Sequence, residues 1–213
     1  MTGPIVLVLG GTRSGKSVEA EAIITRLADG EPVTYFATAR SDGTRTFDQR
    51  ITIHRNRRPR HWRTIEIGDP SASNHGTSEN AGPDRDTSSD ADHGELADQL
   101  RKVDGPVLLD ALGPWVATHL DQPAAFEQFL TALHDRQDPT VIVSDEVGLA
   151  VHPPTEIGRR FVDAIGALNQ QIASIADEVR LVIAGRVLDL PRSPEPSPSP
   201  PAPPDPPRSG ETP

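Results

Sequence analysis

The chain contains no cysteine among its 213 residues. This absence excludes disulfide bonds, a cysteine nucleophile, thiolate zinc sites and cysteine-held iron–sulfur clusters. A chain without thiols also fits a reducing compartment. Any catalytic chemistry must therefore come from other side chains.

Long apolar runs are absent as well. No segment approaches the roughly 18–20 apolar residues that cross a bilayer as a helix. The apolar stretch near the start has no basic region before it and runs directly into a glycine-rich loop, which is typical of a buried strand rather than a signal peptide. We therefore expect a cytoplasmic protein without a membrane span.

Hydrophobic residues make up only 35% of the chain, and two segments account for the shortage. Residues 68–95 carry almost no apolar side chains, and residues 191–213 hold half of the 22 prolines. Such segments bury too little apolar surface to offset the entropy lost on ordering. The sequence therefore predicts one catalytic domain over residues 1–190, with a disordered insertion at 68–95 and a disordered proline-rich tail at 191–213.

Overall positive charge is lacking, since the formal net charge is −10. Residues 68–95 contribute most of this acidity, with seven acidic residues against one arginine. Without a domain-wide positive charge there is little counterion release to drive binding to a duplex. We therefore expect no nucleic-acid partner.

What the sequence does contain is an alternation of short apolar runs and helical patterns. Continuous apolar runs predict buried strands at residues 4–9, 33–37, 106–112, 140–144 and 179–184. Apolar residues at helical spacing predict helices at residues 16–28, 123–134 and 156–177. This alternation predicts an α/β fold with a mostly parallel sheet and helices on both faces.

The sequence GGTRSGKS, between the first strand and the first helix, fits the phosphate-loop pattern G-x-x-x-x-G-K-[ST]. Its glycines let backbone N–H groups point at phosphate oxygens, and the start of the helix favours negative charge. Lys16 is positioned to neutralise the β- and γ-phosphates, and the hydroxyl of Ser17 to bind Mg²⁺. The predicted nucleotide-binding residues of this loop are Gly10, Gly11, Thr12, Arg13, Ser14, Gly15, Lys16 and Ser17.

Carboxylates follow two of the predicted strands. Asp110 lies at the end of one, where a carboxylate can bind Mg²⁺ or its waters. Asp145 and Glu146 end the next, and three roles are open for them: orienting a metal, acting as a base for a substrate hydroxyl, or capping a loop.

Residues 40–63 hold eight arginines, and three interpretations of this segment are open. The first is a solvated basic face, and the second is a patch that binds single-stranded nucleic acid with Trp62 as a stacking platform. The third is a phosphate-handling site in which arginines bind a charged substrate and His54 is the reacting group. A neutral imidazole can attack an α-phosphorus and expel pyrophosphate. Neighbouring arginines disfavour the imidazolium form and keep His54 nucleophilic. We expect Trp62 and Trp115 to be packing residues.

Several stretches together resemble the bifunctional adenosylcobinamide kinase / adenosylcobinamide-phosphate guanylyltransferase family of cobalamin biosynthesis. They are LVLGGTRSGKSVEAE near the start, YFATAR at 35–40, RITIHRNRRPRHWRTIE at 50–66, LLDAL at 108–112 and VIVSDEVGLAVHPPTEIGRRFVDAIGALNQQIASIADEVRLVIAG at 141–185. The spaced pattern around His54 is far more specific than the phosphate loop alone.

The resemblance implies a RecA-like phosphate-loop fold and two catalytic residues, Lys16 and His54. Lys16, with Mg²⁺, would serve phosphorylation of adenosylcobinamide by ATP or GTP. His54 would then carry GMP, taken from GTP, to adenosylcobinamide phosphate, giving adenosylcobinamide-GDP. The family also implies a homo-oligomer. The further nucleotide contacts that it implies are Ala37, Thr38, Ala39, Arg55, Asn56, Arg57, Arg58, Glu66 and Asp110, with Ser17 and Asp110 at the metal.

Two other functions stay open at this point. One is a guanylyltransferase that has lost the kinase activity, and the other is a non-catalytic, nucleotide-dependent nucleic-acid-binding module. The chain also departs from the family pattern at three places. Asp145 stands where the family usually has Asn, Gly113-Pro114 interrupts a smoother helix start, and residues 68–95 intervene before the next helix.

Overall fold

The computed structural model describes residues 2–38, 59, 61–67, 95–149 and 151–192. The predicted insertion lies outside these residues except for Glu95, which already belongs to a helix. The predicted tail lies outside them from residue 193 onward.

Strands and helices alternate along the described chain. In order they are β1 (Ile5–Gly10), α1 (Lys16–Leu27), β2 (Thr34–Ala37), β3 (Arg63–Glu66), α2 (Glu95–Lys102), β4 (Val107–Asp110), α3 (Leu112–Thr118), α4 (Pro123–Asp135), β5 (Thr140–Asp145), α5 (Glu156–Ile175), β6 (Glu178–Ile183) and β7 (Arg186–Asp189). All five predicted strands and all three predicted helices are confirmed. Some boundaries differ by one or two residues. The strand predicted to reach Leu112 ends at Asp110, and Leu112 begins α3. The helix predicted to reach residue 177 ends at Ile175.

The strands form one seven-stranded sheet in the order β3-β2-β4-β5-β1-β6-β7. Every pairing is parallel except that of β6 with β7. The α/β fold class with a mostly parallel sheet is therefore confirmed. Because the carboxyl ends of parallel strands meet at one edge of a sheet, the residues that end β1, β2, β3, β4 and β5 lie along the same edge.

The core occupies both faces of the sheet, as β1 illustrates. Its six residues are all buried. Ile5, Leu7 and Leu9 pack on the face covered by helices α2 to α5, while Val6 and Val8 pack on the face covered by α1. This two-sided burial explains why the strand reads as a continuous apolar run instead of an alternating one.

Arg136, just after α4, is a buried structural arginine. Its guanidinium donates to the carbonyl oxygens of Leu100 at 2.7 Å, Val103 at 2.8 Å and Gly105 at 2.6 Å. It also donates to Thr140 Oγ1 at 3.0 Å. Burial lowers the pKa of Arg136 from its ordinary value, while nearby carboxylates of Asp138 and Asp104 oppose that change. The side chain joins the end of α2 to the start of β5.

The β6–β7 hairpin supports the loop that follows β1. Its two turn residues, Ala184 and Gly185, have φ of 51° and 74°, as a type I′ turn requires. The N–H of Gly185 donates to the carbonyl of Ser14 at 2.8 Å. The sheet therefore ends in an edge hairpin that contacts the phosphate loop. Among the described residues, no helix is both long and apolar enough to cross a bilayer.

Candidate active site

The predicted phosphate loop joins β1 to α1 and is built around two constrained glycines. A Cβ at Gly10 would lie 2.5 Å from Ser14 Oγ and 2.6 Å from the carbonyl oxygen of Val182. Gly15 precedes α1 with φ of 100°, a left-handed conformation that favours glycine. The N–H of Ser14 donates to the Gly11 carbonyl at 3.2 Å and closes the turn. The loop thus has the tight curl that phosphate binding by backbone N–H groups needs.

The eight predicted loop residues are not equally accessible. Gly11, Thr12 and Arg13 are exposed, Gly10 and Ser14 are buried, and Gly15, Lys16 and Ser17 are half-buried. The exposed tip and the half-buried start of α1 therefore form the accessible part of the loop.

Lys16 folds back across this loop. Its Nζ donates to the carbonyl oxygen of Gly11 at 3.1 Å and lies 3.0 Å from Asp145 Oδ1. The Lys16 side chain is only 11% exposed. An ammonium held at this point lies beside the N-terminus of α1, where the helix dipole also favours an anion.

Ser17 and Asp110, which the sequence assigned to a metal, are brought together by the fold. Ser17 Oγ donates to Asp110 Oδ1 at 3.0 Å, although the residues are 93 positions apart in the chain. The Asp110 side chain is also the acceptor of a hydrogen bond from the hydroxyl of Tyr35. A hydroxyl and a carboxylate are hard oxygen ligands, so this pair fits Mg²⁺ in the presence of a nucleotide.

Tyr35 is a site residue that the sequence analysis did not single out. It lies within β2, is 1% exposed and packs near the Trp62 ring, with the ring centroids 6.5 Å apart. The sequence offered one indication of this role, the residue type: a tyrosine within a buried strand needs a hydrogen-bond partner for its hydroxyl. Trp62 is 8% exposed and Trp115 is 5% exposed, which confirms both as packing residues.

Ala37, Thr38 and Glu66 lie at the same sheet edge. Ala37 is in register with Glu66 on β3 and with Asp110 on β4. Thr38 is buried, and its Oγ1 donates to the Asp110 carbonyl at 3.3 Å and also to the carbonyl of Ala111. These contacts fix the end of β4 where Ala111 takes a φ of 71°.

Asp145 ends β5 opposite Gly10, its register partner on β1. A Cβ at Gly113 would lie 2.5 Å from Asp145 Oδ2, so that carboxylate oxygen occupies the space beside a glycine. Asn169 of α5 donates from Nδ2 to the carbonyl oxygen of Asp145 at 3.1 Å.

Glu146 behaves differently from Asp145, since its Oε1 accepts from the N–H of Gly148 at 2.7 Å. Of the three roles open for this pair, loop capping describes Glu146, whereas Asp145 faces Lys16.

Six residues predicted for the site lie outside the described part of the chain. They are Ala39, His54, Arg55, Asn56, Arg57 and Arg58. The described elements on either side of them, β2 and β3, are neighbours in the sheet. Both end at the edge that carries the phosphate loop.

A family model described as cobinamide kinase / cobinamide phosphate guanyltransferase matches residues 6–82 and 86–190. The match runs through most of residues 68–95, and the disorder of that segment stays a prediction.

Relatives with similar names align over most of the chain. A bifunctional adenosylcobalamin biosynthesis protein, CobP, of Pseudomonas aeruginosa is 35% identical over 199 residues, covering 89% of this chain and 98% of that protein. The bifunctional adenosylcobalamin biosynthesis protein CobU of Escherichia coli is 32% identical over 190 residues, covering 85% and 96%. Its namesake in Salmonella typhimurium is 34% identical over 192 residues, again covering 85% and 96%.

Two solved structures are more distant. A KaiC-like protein of Pyrococcus horikoshii aligns with a TM-score of 0.43 and 14% identity, over 84% of this chain and 71% of that chain. An ATPase of a bacterial type III secretion system aligns with a TM-score of 0.46 and 9% identity, over 84% and 51%.

Proposed function

Because the chain belongs to the cobinamide kinase / cobinamide phosphate guanyltransferase family, we propose that its phosphate loop and His54 divide two consecutive reactions between them. The chain is an enzyme of adenosylcobalamin biosynthesis, with a phosphotransferase and a nucleotidyltransferase activity. The observation that carries the assignment to residues is the cluster of Lys16, Ser17 and Asp110 at one sheet edge.

The first reaction is phosphorylation of adenosylcobinamide. The hydroxyl oxygen of the substrate attacks the γ-phosphorus of ATP or GTP, the bond to the bridging oxygen breaks, and the nucleoside diphosphate leaves. Backbone N–H groups of the loop hold the phosphates, and Lys16 turns toward the β- and γ-phosphate oxygens. Ser17 and Asp110 are the residues that would hold Mg²⁺, which supplies charge neutralisation on the phosphate oxygens when bound.

The second reaction is transfer of GMP. A neutral His54 nitrogen attacks the α-phosphorus of GTP, forming a nitrogen–phosphorus bond as pyrophosphate leaves. A phosphate oxygen of adenosylcobinamide phosphate then attacks the same phosphorus, the nitrogen–phosphorus bond breaks, and His54 is restored. The product is adenosylcobinamide-GDP. Support for His54 comes from its sequence context, RITIHRNRRPRHWRTIE, and from the family match through this segment.

The remaining predicted contacts belong to this proposal. Ala37 lies between Glu66 and Asp110 at the sheet edge, and Thr38 fixes the strand end beside Asp110. Ala39 and the residues that follow His54 complete the nucleotide contacts: Arg55, Asn56, Arg57 and Arg58. We also propose that the enzyme is a homo-oligomer and binds no nucleic acid, which size-exclusion chromatography with light scattering and a single-strand binding titration would test.

The test of the guanylyl step uses GTP labelled at the α-phosphate. The enzyme is incubated with labelled GTP and Mg²⁺, denatured and separated on a gel. We expect acid-labile label on the protein, which His54→Ala abolishes. His61→Ala is the matched control because His61 is an exposed histidine of the same basic segment and should keep the label. Label that survives in His54→Ala would contradict the assignment.

The kinase step is tested separately with γ-labelled ATP and cobinamide. We expect labelled cobinamide phosphate from the wild type, because the loop keeps its lysine, its serine and the carboxylate partner. The same assay with His54→Ala should still yield product. Guanylylation without any phosphorylation would instead identify a guanylyltransferase that has lost the kinase activity.

A further inference from the structure

The ion pair between Lys16 and Asp145 is a contact that neither reaction uses. Its two charged atoms are 3.0 Å apart, and the side chains are 11% and 29% exposed. The same ammonium also donates to the Gly11 carbonyl. Lys16 is therefore engaged by two protein acceptors, the Gly11 carbonyl and the Asp145 carboxylate.

Asp145 is bound through its backbone to α5, and its side chain lies beside a glycine of α3. Its backbone carbonyl accepts from Asn169 Nδ2 at 3.1 Å, which ties the end of β5 to α5. Its Oδ2 occupies the space beside Gly113, where a Cβ would approach to 2.5 Å. The backbone of Asp145 is thus tied to α5, and its carboxylate lies where the missing side chain of Gly113 leaves room for it.

The nucleotide phosphates and the Asp145 carboxylate both need the Lys16 ammonium as a partner. To contact β- and γ-phosphate oxygens, Lys16 must leave or share its carboxylate partner. The carboxylate is then a negative charge next to a polyanion in a partly desolvated cleft, and like charges repel more strongly there than in water. A bound divalent cation reduces that repulsion because it neutralises part of the phosphate charge.

We infer that Asp145 is a positioning residue: it holds the Lys16 ammonium where the nucleotide phosphates bind, and it competes with those phosphates for the ammonium. The negative charge of Asp145 therefore makes tight nucleotide binding depend on Mg²⁺. This inference rests on the proposed nucleotide site. It assigns to Asp145 neither the role of a base nor that of a metal ligand.

The experiment measures the dissociation constant of GTP for the full-length wild type and Asp145→Asn, in excess Mg²⁺ and in EDTA. Asparagine keeps an oxygen that can accept from Lys16 but removes the charge. We expect Asp145→Asn to bind GTP about tenfold more tightly than the wild type in EDTA, with a much smaller difference in Mg²⁺. The matched control is Glu19→Gln, which removes a carboxylate of α1 that pairs with Arg180 at 2.7 Å instead of with Lys16. It should change both constants less than about twofold.

Gly113→Ala is a second variant that reaches the same contact without changing any charge. Its new Cβ must displace Asp145 Oδ2, and its other near contact, Phe161 Cζ at 3.7 Å, is an ordinary one. We expect tighter GTP binding in EDTA, in the same direction as Asp145→Asn. Thermal unfolding of each variant checks that the fold is retained.

The possible outcomes separate this inference from the function on which it rests. Unchanged or weaker binding of Asp145→Asn in EDTA, beside normal binding by the wild type, would overturn the competition. Weaker binding of Asp145→Asn in Mg²⁺ alone would make the carboxylate a metal ligand and overturn it too. A wild type that binds GTP in neither condition would overturn the nucleotide site itself.

Discussion

Gly10 and Gly11 are adjacent glycines with opposite surroundings, and replacing each by alanine tests how the loop is built. A methyl group at Gly10 would meet Ser14 Oγ at 2.5 Å and the backbone oxygen of Val182 at 2.6 Å. At Gly11 nothing lies within 4 Å of the added carbon. The glycines with positive φ in the described chain do not include Gly11, so alanine is also compatible with its backbone.

The magnitude follows from which atoms must move. Val182 belongs to β6, a strand paired with β1, and Ser14 is buried, so the overlap at Gly10 is relieved only by shifting the loop. Overpacking of this kind costs about 1–3 kcal/mol of the free energy of unfolding. In a domain of this size each kcal/mol lowers the melting temperature by about 2–4 °C. Gly11→Ala should change the free energy of unfolding by less than about 0.5 kcal/mol.

The assay is urea unfolding of both variants beside the wild type, followed by GTP titration. We expect Gly10→Ala to be destabilised and to bind GTP more weakly, because a shifted loop misdirects its N–H groups. Gly11→Ala should unfold at the urea concentration of the wild type. Equal destabilisation of the two variants, or a fully stable Gly10→Ala, would refute the reasoning, since it would mean that these contacts do not limit the loop.

Two further substitutions test the framework around the site. Arg136→Met should lower the free energy of unfolding by about 3 kcal/mol in urea titration, because two buried carbonyl oxygens and one partly buried one lose their donor. Arg136→Lys should recover only part of this stability, since an ammonium lacks the planar fork of a guanidinium. If Arg136→Lys were as stable as the wild type, the planar guanidinium would not be what these carbonyl oxygens require. Tyr35→Phe should cost about 1.5–3 kcal/mol by the same measurement, because it removes a hydrogen bond to the Asp110 carboxylate. A stability equal to that of the wild type would mean that this hydrogen bond contributes nothing net.

The parts of the fold that follow from the sequence are those with a strong local pattern. The strand of Ile5–Gly10 is buried on both faces, so its continuous apolar run identifies it. The long helix Glu156–Ile175 keeps an apolar stripe at helical spacing, and Thr155 caps its start by accepting from the N–H of Gly158. In these elements burial and sequence period agree.

Elements with weak patterns were missed for identifiable reasons. All four residues of Arg186–Asp189 are exposed, since this strand pairs on one side only and faces solvent. The strand Arg63–Glu66 begins with two exposed residues inside the basic segment, where charge dominates the pattern. Both are edge strands, for which burial leaves little signature in the sequence.

The site shows the same division between local and long-range information. The phosphate loop is local, so its spacing alone predicts the lysine, the serine and the glycines. The charged partner of Lys16 is not local: Asp145 ends β5, and its carboxylate has room only because Gly113 in α3 carries no side chain. A sequence pattern can indicate that a carboxylate ends a strand, but only strand order places β5 between β4 and β1 and thereby brings that carboxylate onto the lysine. Because the ion pair follows from this order, a change at Gly113 is expected to act on nucleotide binding through Asp145, although Gly113 belongs to neither the loop nor the basic segment.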